Sequence, residues 1–235
     1  MSSGFQYPAF ISYRNGVRKD AQGNDITFGS KQMDTYDEFA KQLCNQLHSE
    51  LKSLITANRL PCRPFLDQEH GGEPHTLEPF FAQKICRSVC MIVIYTESYF
   101  DTANTFCARE FMTMQKIQEH RNSVLGYTGT LKQVYTINRS KNSIPKIFGK
   151  EFYVNLATKN FRKNDYWCNE DNDDLNKMIE NIINFIWRTL FLGVYKGGTN
   201  PKLFSICSDF DLVPNDAEVK KFIKKHTAKR AVQFP

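Results

Sequence analysis

The seven residues from Val89 to Tyr95, VCMIVIY, form the most strand-like run in the chain. Apolar side chains occupy successive positions, so a strand here would be buried on both of its faces. Such a strand is typical of the centre of a parallel sheet that carries helices on each side. The run therefore predicts an α/β protein in which Val89–Tyr95 anchors the sheet.

Four other short segments are predicted to complete the sheet, with helices between them. The strands are Tyr7–Tyr13, Pro61–Leu66, Lys132–Ile137 and Glu151–Leu156. The helices cover Asp34–Asn58, Thr76–Arg87 and Asn104–Glu119, and a last long helix begins at Asp173 and carries an apolar stripe to Leu190. Strands and helices that alternate in this way predict a flavodoxin-like, doubly wound, five-stranded parallel sheet in the order 2-1-3-4-5. Ligands of such sheets bind beyond the carboxyl ends of the strands.

A polar loop from Gly16 to Lys31 follows the first strand. Two short segments within it, Val17–Lys19 and Ile26–Phe28, flank Gln22-Gly23-Asn24, so a small hairpin is expected here. By topology the loop leaves the carboxyl end of the first strand, where it would act as a lid over a ligand or bind a neighbouring molecule.

Length and composition fit one large domain with an appendage. The chain has 235 residues, of which 41% are hydrophobic and 24% are charged, so a disordered chain is excluded. We expect the α/β domain to span residues 1–192 and a basic C-terminal extension to span residues 193–235. The net charge is +6, and residues 217–235 carry +5 of it, from five Lys and Arg230 against Glu218. This clustering favours a solubilising terminal helix, and nucleic-acid sensing by the tail is the weaker alternative.

The sequence also bears on the compartment of the protein. The longest nearly uncharged apolar stretch, Ile182–Tyr195, has 14 residues, whereas a membrane-spanning helix needs about 20. Met1–Tyr7 lacks the basic region and apolar run of a secretory signal, so a cytoplasmic protein without a membrane anchor is expected. Seven Cys residues occur without a Cys-x-x-Cys pair. This pattern favours reduced, interior thiols over a disulfide framework or a zinc site.

Several well-known motifs are absent from the sequence. No Gly-x-x-x-x-Gly-Lys-Ser/Thr or Gly-x-Gly-x-x-Gly sequence is present, which excludes a P-loop and a dinucleotide fingerprint after the first strand. No Gly-x-Ser-x-Gly elbow is present, and the five His residues show no metal-ligand spacing. Neither a hydrolase triad nor a metal site is therefore predicted.

Three segments that the predicted topology brings to one edge of the sheet carry a family resemblance. The first, AFISYR at 9–14, is similar to box one of Toll/interleukin-1 receptor (TIR) domains. The second, FLD at 65–67 followed by GGEP at 71–74, is similar to the second strand and BB loop of that family. The third, SYFD at 98–101 with FCAREF at 106–111, resembles the segment in which the family has Trp-Cys-x-x-Glu-Leu on its third helix. The resemblance covers roughly Tyr7–Leu190, with the segments in the right order.

The resemblance implies that Glu110 is the catalytic residue, because the glutamate of this third segment is catalytic in TIR domains that consume NAD. Cleavage of the nicotinamide–ribose bond develops an oxocarbenium-like positive charge, which a nearby carboxylate stabilises. Nicotinamide departs as a neutral group, so one carboxylate suffices. Phe106 stands where the family usually has Trp, four residues before Glu110 on the same helical face, where its ring would stack on a base or on nicotinamide. The alternative for Glu110 is an ordinary helix-surface glutamate, because many TIR domains bind partners without catalysis.

The resemblance also implies NAD contacts from the ends of the first two strands. Phe10, Ser12 and Arg14 are candidates for contacts with a ring, a ribose and the pyrophosphate, and Asp67 at the start of the BB loop is a further candidate. Charge supports the role of Arg14, because a guanidinium pairs well with phosphate. The alternatives are that Phe10 belongs to the core, that Ser12 satisfies a turn and that Arg14 is a solvated strand end.

The function that follows from the resemblance is cleavage of NAD to nicotinamide and ADP-ribose, or to a cyclised or transferred ADP-ribose product. It implies nucleotide signalling in antiphage or stress immunity, as in the stand-alone TIR proteins of Thoeris-type bacterial systems. NAD is then the substrate, with no other cofactor and no metal expected. The implied partners are further copies of the chain, through TIR–TIR contacts, and a downstream effector that senses the product. A function from a different class is a non-catalytic module that signals by TIR–TIR assembly through the BB loop.

Overall fold

The computed structural model describes residues 4–14, 18–19, 25–26, 33–55, 62–66, 78–102, 105–126, 133–140, 144–148, 153–156, 173–191, 200–208 and 212–227. Five strands in these ranges form one sheet. They are β1 (Tyr7–Tyr13), β2 (Phe65–Leu66), β3 (Ser88–Tyr95), β4 (Val134–Asn138) and β5 (Tyr153–Asn155).

Neighbouring strands of this sheet pair in parallel, in the order β2-β1-β3-β4-β5. This is the predicted order 2-1-3-4-5, so the flavodoxin-like doubly wound α/β fold is confirmed. All eight residues of β3 are buried at the centre of the sheet, as its uninterrupted apolar run predicts. β1 lies beside it, with Ser12 in register with Val93.

The hairpin expected after the first strand is also confirmed. Two short strands, Arg18–Lys19 and Asp25–Ile26, pair in an antiparallel manner as a separate two-stranded sheet. Gln22, Gly23 and Asn24 lie between the two strands in sequence.

Five α-helices and two 3₁₀ helices accompany the strands in the described ranges. The α-helices are α1 (Met33–Ile55), α2 (Glu78–Cys86), α3 (Phe106–Leu125), α4 (Asp173–Phe191) and α5 (Asp216–Thr227), and the 3₁₀ helices are Lys146–Phe148 and Pro201–Ser208. None of the helices that the structure describes is long and apolar enough to cross a membrane.

Helix α3 continues past Glu119, where the sequence predicted its end. Arg121, inside the added turn, is fully buried, and its guanidinium donates to the Gln133 side chain at 2.7 Å and to the Cys86 carbonyl at 2.8 Å. These partners allow a cation to lie inside the protein, which the pattern of apolar residues does not indicate. The helix ends at Gly126, whose φ of 67° is the left-handed conformation that glycine adopts at low cost.

Helices cover both faces of the sheet and create two apolar clusters. α1 and α4 pack on one face, against side chains such as Ile11, Ile92 and Ile137. α2, α3 and α5 pack on the other face, against side chains such as Phe10 and Val93. Because side chains alternate along a strand, Phe10 and Ser12 of β1 both face α3. This alternation directs the polar end of β1 towards the third helix.

Residues 200–208 and 212–227 pack against the α/β domain. Leu203 is buried in the same apolar cluster as Ile11 and Ile92, whereas Val219 and Ile223 of α5 are buried in the cluster with Phe10 and Val93. A disulfide between Cys86 and Cys207, with a Cα–Cα distance of 5.6 Å, ties this part of the chain to the end of α2.

This disulfide corrects the sequence-based expectation that the thiols are reduced. Cys86 and Cys207 are separated by 121 positions, so no local spacing indicates the pair. Four other cysteines in the described ranges are free thiols, as that expectation requires, and they are Cys44, Cys62, Cys90 and Cys107.

Candidate functional site

The fold brings the end of β1 against the first turns of α3. Ser12 is the penultimate residue of β1 and faces α3, at the carboxyl edge of the sheet. Glu110 lies on the helix face that contacts the sheet, at helical spacing from the buried residues Cys107, Met114 and Ile117. A glutamate in an apolar stripe is rarely buried without a partner, so the groups that contact Glu110 should explain its burial.

Ser12 and Glu110 are joined by a short hydrogen bond. The Ser12 hydroxyl donates to Glu110 Oε2 at 2.6 Å, a length typical of a hydroxyl bound to a carboxylate. Ser12 is 1% exposed and Glu110 is 5% exposed, so the bond is shielded from water. The helix-surface alternative for Glu110 is therefore wrong. So is the turn alternative for Ser12, because its hydroxyl contacts a side chain 98 positions away.

Tyr99 completes this cluster from the loop between β3 and α3. Its hydroxyl oxygen lies 2.6 Å from Ser12 Oγ, and its side chain is fully buried. Burial raises the pKa of Tyr99 well above its usual value, and the nearby Cys107 and Glu110 groups act in the same direction. The hydrogen bond with Ser12 opposes this shift but does not outweigh it. Tyr99 therefore retains its proton at neutral pH.

Arg14, directly after β1, binds the same loop. Its Nη1 donates to the Ser98 carbonyl at 2.5 Å and to Asp101 Oδ2 at 2.7 Å. The Arg14 side chain is 6% exposed and that of Asp101 is 33% exposed. The alternative of a solvated strand end is therefore wrong for Arg14. The ion pair fixes the loop that carries Tyr99 to the end of β1, and it partly neutralises the charge that a pyrophosphate would use.

The two candidate aromatic residues lie in different surroundings. Phe10 is fully buried and stacks on Phe65, with ring centres 5.4 Å apart and an interplanar angle of 18°. Its ring would reach a ligand only if this packing opened, so the core alternative describes its position. Phe106 begins α3 and is half-buried, with its ring edge-to-face against Phe81 at 5.1 Å. Its contact with NAD stays a prediction.

Asp67 and the rest of the loop to Pro74 lie outside the described residues. The structure thus brings together Ser12 and Glu110 among the predicted residues, with Arg14 next to them. It adds Tyr99 and Asp101, to which sequence reasoning gave no role. Their position in the loop after the central strand, at the edge where ligands bind, is a signal that could have found them.

A hollow lies beside the edge strand β5, away from the Ser12, Tyr99 and Glu110 cluster. It has a volume of about 360 Å³ between β4, β5 and α4, and its lining includes Tyr153, Asn155, Asp174 and Lys177. Asp174 and Lys177 are exposed to solvent, so their charges are screened by water. Burial and short hydrogen bonds make the Glu110 cluster the stronger candidate for chemistry.

The arrangement around Glu110 suits stabilisation of positive charge at the carboxyl edge of the sheet, with a carboxylate that is fixed by a hydroxyl donor. A scan of protein-family models and a search of curated proteins gave no match to the chain.

Proposed function

We propose that the chain is a TIR-domain enzyme that cleaves NAD at the bond between nicotinamide and ribose. The observation that carries the proposal is the buried Glu110 carboxylate at the carboxyl edge of the sheet, 2.6 Å from the Ser12 hydroxyl. Substrates of doubly wound sheets bind at this edge. The motifs that resemble TIR boxes one and three supply both residues.

The chemistry asked of Glu110 is electrostatic. As the nicotinamide–ribose bond breaks, its electron pair leaves with the nicotinamide nitrogen, which becomes neutral, and positive charge develops on the ribosyl C1 and ring oxygen. A carboxylate beside this centre stabilises the charge, more strongly in a water-poor site than in bulk water. Because the leaving group needs no proton, a site with one catalytic carboxylate is sufficient.

The ribosyl cation is then captured by a nucleophile. Attack by water, with loss of a proton, gives ADP-ribose, whereas attack by a group of the ADP-ribose moiety itself gives a cyclic product. Transfer to another acceptor gives a conjugate. ADP-ribose and its cyclic form are soluble nucleotides, which suits a signal that a downstream effector senses in the cytoplasm during antiphage or stress immunity.

Arg14 has a defined place in this proposal. Its guanidinium pairs with Asp101 at 2.7 Å, so a pyrophosphate would share or displace that carboxylate. Arg14→Gln should then raise the KM for NAD, because the guanidinium that would bind the pyrophosphate is lost. Asp101→Asn should not raise the KM, because it leaves the guanidinium in place and removes a competing charge.

One observation favours the alternative of a non-catalytic TIR assembly module. Glu110 is 5% exposed and accepts a hydrogen bond from Ser12, which is also what a structural glutamate needs. In that case Glu110 would join β1 to α3, and signalling would depend on contacts between copies of the chain.

The two functions are separated by incubating the purified protein with NAD. Nicotinamide release is followed in dilute buffer and under crowded conditions that promote self-association, and the second product is identified by mass spectrometry. Release of nicotinamide that is lost in Glu110→Gln supports the enzyme. A wild-type protein that is inert in both conditions supports the assembly module.

A further inference from the structure

Tyr99 contacts the same oxygen that donates to Glu110. Ser12 Oγ lies 2.6 Å from the Tyr99 hydroxyl oxygen and 2.6 Å from Glu110 Oε2. A serine hydroxyl has one proton and accepts at its lone pairs. Because the Ser12 proton is donated to the carboxylate, the Tyr99 hydroxyl must be the donor in the other bond. The three groups form a directed chain from Tyr99 through Ser12 to Glu110.

The tyrosine end of this chain is held in place by packing. Tyr99 is fully buried, its ring centre lies 5.9 Å from that of Tyr95 and 5.1 Å from that of Phe100, and its backbone N–H donates to the Thr96 carbonyl at 3.0 Å. Arg14 secures the same loop through Ser98 and Asp101. The hydroxyl therefore has one position relative to Ser12. A donor fixed in this way directs the Ser12 proton towards Glu110 and polarises it.

We infer that Tyr99 is a positioning residue, which acts through Ser12 to hold the Glu110 carboxylate in the orientation needed for charge stabilisation. The kinetic consequence of this inference rests on the proposed function. The hydrogen bonds from Tyr99 through Ser12 to Glu110 do not depend on that function. With Oε2 held by Ser12, the carboxylate plane has a set direction relative to β1. Small errors in the placement of such a group are costly in catalysis.

The kinetic test uses Tyr99→Phe, which removes the hydroxyl and keeps the ring. Its kcat for nicotinamide release should fall about tenfold with little change in KM, since one neutral hydrogen bond is lost at a distance from the substrate. Ser12→Ala should lower kcat about 10-fold to 100-fold, because a bond to a charged group is lost. The control is Tyr95→Phe, the same change in the neighbouring buried ring, which should leave kcat unaltered.

A double variant separates positioning from packing. If Tyr99 acts only through Ser12, the Ser12→Ala/Tyr99→Phe variant is no slower than Ser12→Ala alone. Effects that multiply in the double variant would overturn the inference. So would an effect of Tyr99→Phe on KM alone, or an equal loss of kcat in Tyr95→Phe.

A measurement without substrate tests the hydrogen bonds from Tyr99 through Ser12 to Glu110 independently of NAD cleavage. The protein is labelled with ¹³C at the tyrosine ζ carbons, and the Tyr99 signal is identified by its loss in Tyr99→Phe. If Tyr99, Ser12 and Glu110 are hydrogen-bonded in series, Ser12→Ala and Glu110→Gln both shift this signal and Tyr95→Phe does not. A Tyr99 signal that moves in neither site variant overturns the inference. If the signal shifts as predicted but the wild type releases no nicotinamide, the enzyme proposal fails and the hydrogen-bonded chain stands.

Discussion

Ser12 Oγ lies 2.6 Å from Glu110 Oε2, although 98 positions separate the two residues in sequence. The bond joins the end of β1 to the face of α3 that covers the sheet. Both groups are nearly excluded from water, so each needs a hydrogen-bond partner within the protein, and the other group provides it. The candidate site is therefore also a packing contact, and substitutions within it should affect stability as well as activity.

Ser12→Ala should reduce the free energy of unfolding by about 1.5–3 kcal/mol, the usual range for a hydrogen bond to a charged group. The same substitution in a Glu110→Gln background should cost less, because the neutral amide of that variant needs the Ser12 donor less than a carboxylate does. Urea unfolding of the four proteins in the cycle measures both values. Equal costs in the two backgrounds would show that the Ser12–Glu110 bond contributes little.

Alkaline conditions should destabilise the protein through Tyr99. Burial raises the pKa of Tyr99 well above 10.0, so the unfolded chain loses this proton at a lower pH than the folded protein. The unfolded state then binds fewer protons, and stability, which is full below pH 10, falls by about 1.4 kcal/mol per pH unit above it. Burial also raises the pKa of Tyr95, to about 12, so Tyr95 adds to the fall.

Tyr99→Phe should flatten this decline, because the variant lacks one titrating group. Urea unfolding at several pH values from about pH 9 upward measures the slope in each protein. Parallel slopes for the wild type and Tyr99→Phe would contradict the assignment of a protonated, buried Tyr99.

Reduction of the disulfide should destabilise the protein. Cys86–Cys207 closes a loop across 121 positions, and native disulfides typically contribute about 2–4 kcal/mol. A reducing agent should therefore lower the Tm of the wild type but not that of Cys207→Ser, which should already unfold at the lower temperature. Cys62→Ser, which alters a half-buried free thiol, is the control and should keep the response to reductant. A wild-type Tm that ignores reductant would contradict the disulfide.

Phe10 and Phe106 should respond differently to truncation. Phe10 is fully buried against Phe65, so Phe10→Ala should cost about 3–5 kcal/mol of stability. Phe106 is half-buried at the start of α3, so Phe106→Ala should cost less stability and instead raise the KM for NAD. Thermal unfolding and NAD kinetics on both variants check the contrast. A higher KM for Phe10→Ala than for Phe106→Ala would reverse these roles.

The sheet was predictable because its two neighbouring strands β1 and β3 are largely apolar runs. β1 matches the predicted bounds Tyr7–Tyr13, and β3 differs from its predicted bounds only by Ser88. The alternation of strands and helices then limited the topology to a few orders, of which the observed one is common. The true length of α3 was not predictable, because it depends on Arg121, whose burial is allowed by carbonyl groups from other elements.

Part of the candidate site was also predictable, because the topology limits which residues can lie close together. Topology alone places the ends of β1 and β3 at one edge, which brings Ser12, Arg14 and the start of α3 near one another. The hydrogen bonds of Tyr99 and the ion pair of Asp101 depend on the loop after β3, whose conformation no periodicity specifies. The disulfide was also not predictable from the sequence, because Cys86 and Cys207 are 121 positions apart and are brought together only by the tertiary fold.

The most direct test of the account is the rate of nicotinamide release by Glu110→Gln, compared with Glu119→Gln on the same helix. Glu119 is exposed, so its substitution controls for the loss of one negative charge. The account predicts that Glu119→Gln matches the wild type and that Glu110→Gln is slower by about 100-fold to 1000-fold while it remains folded. A folded Glu110→Gln protein that releases nicotinamide at the wild-type rate would contradict it.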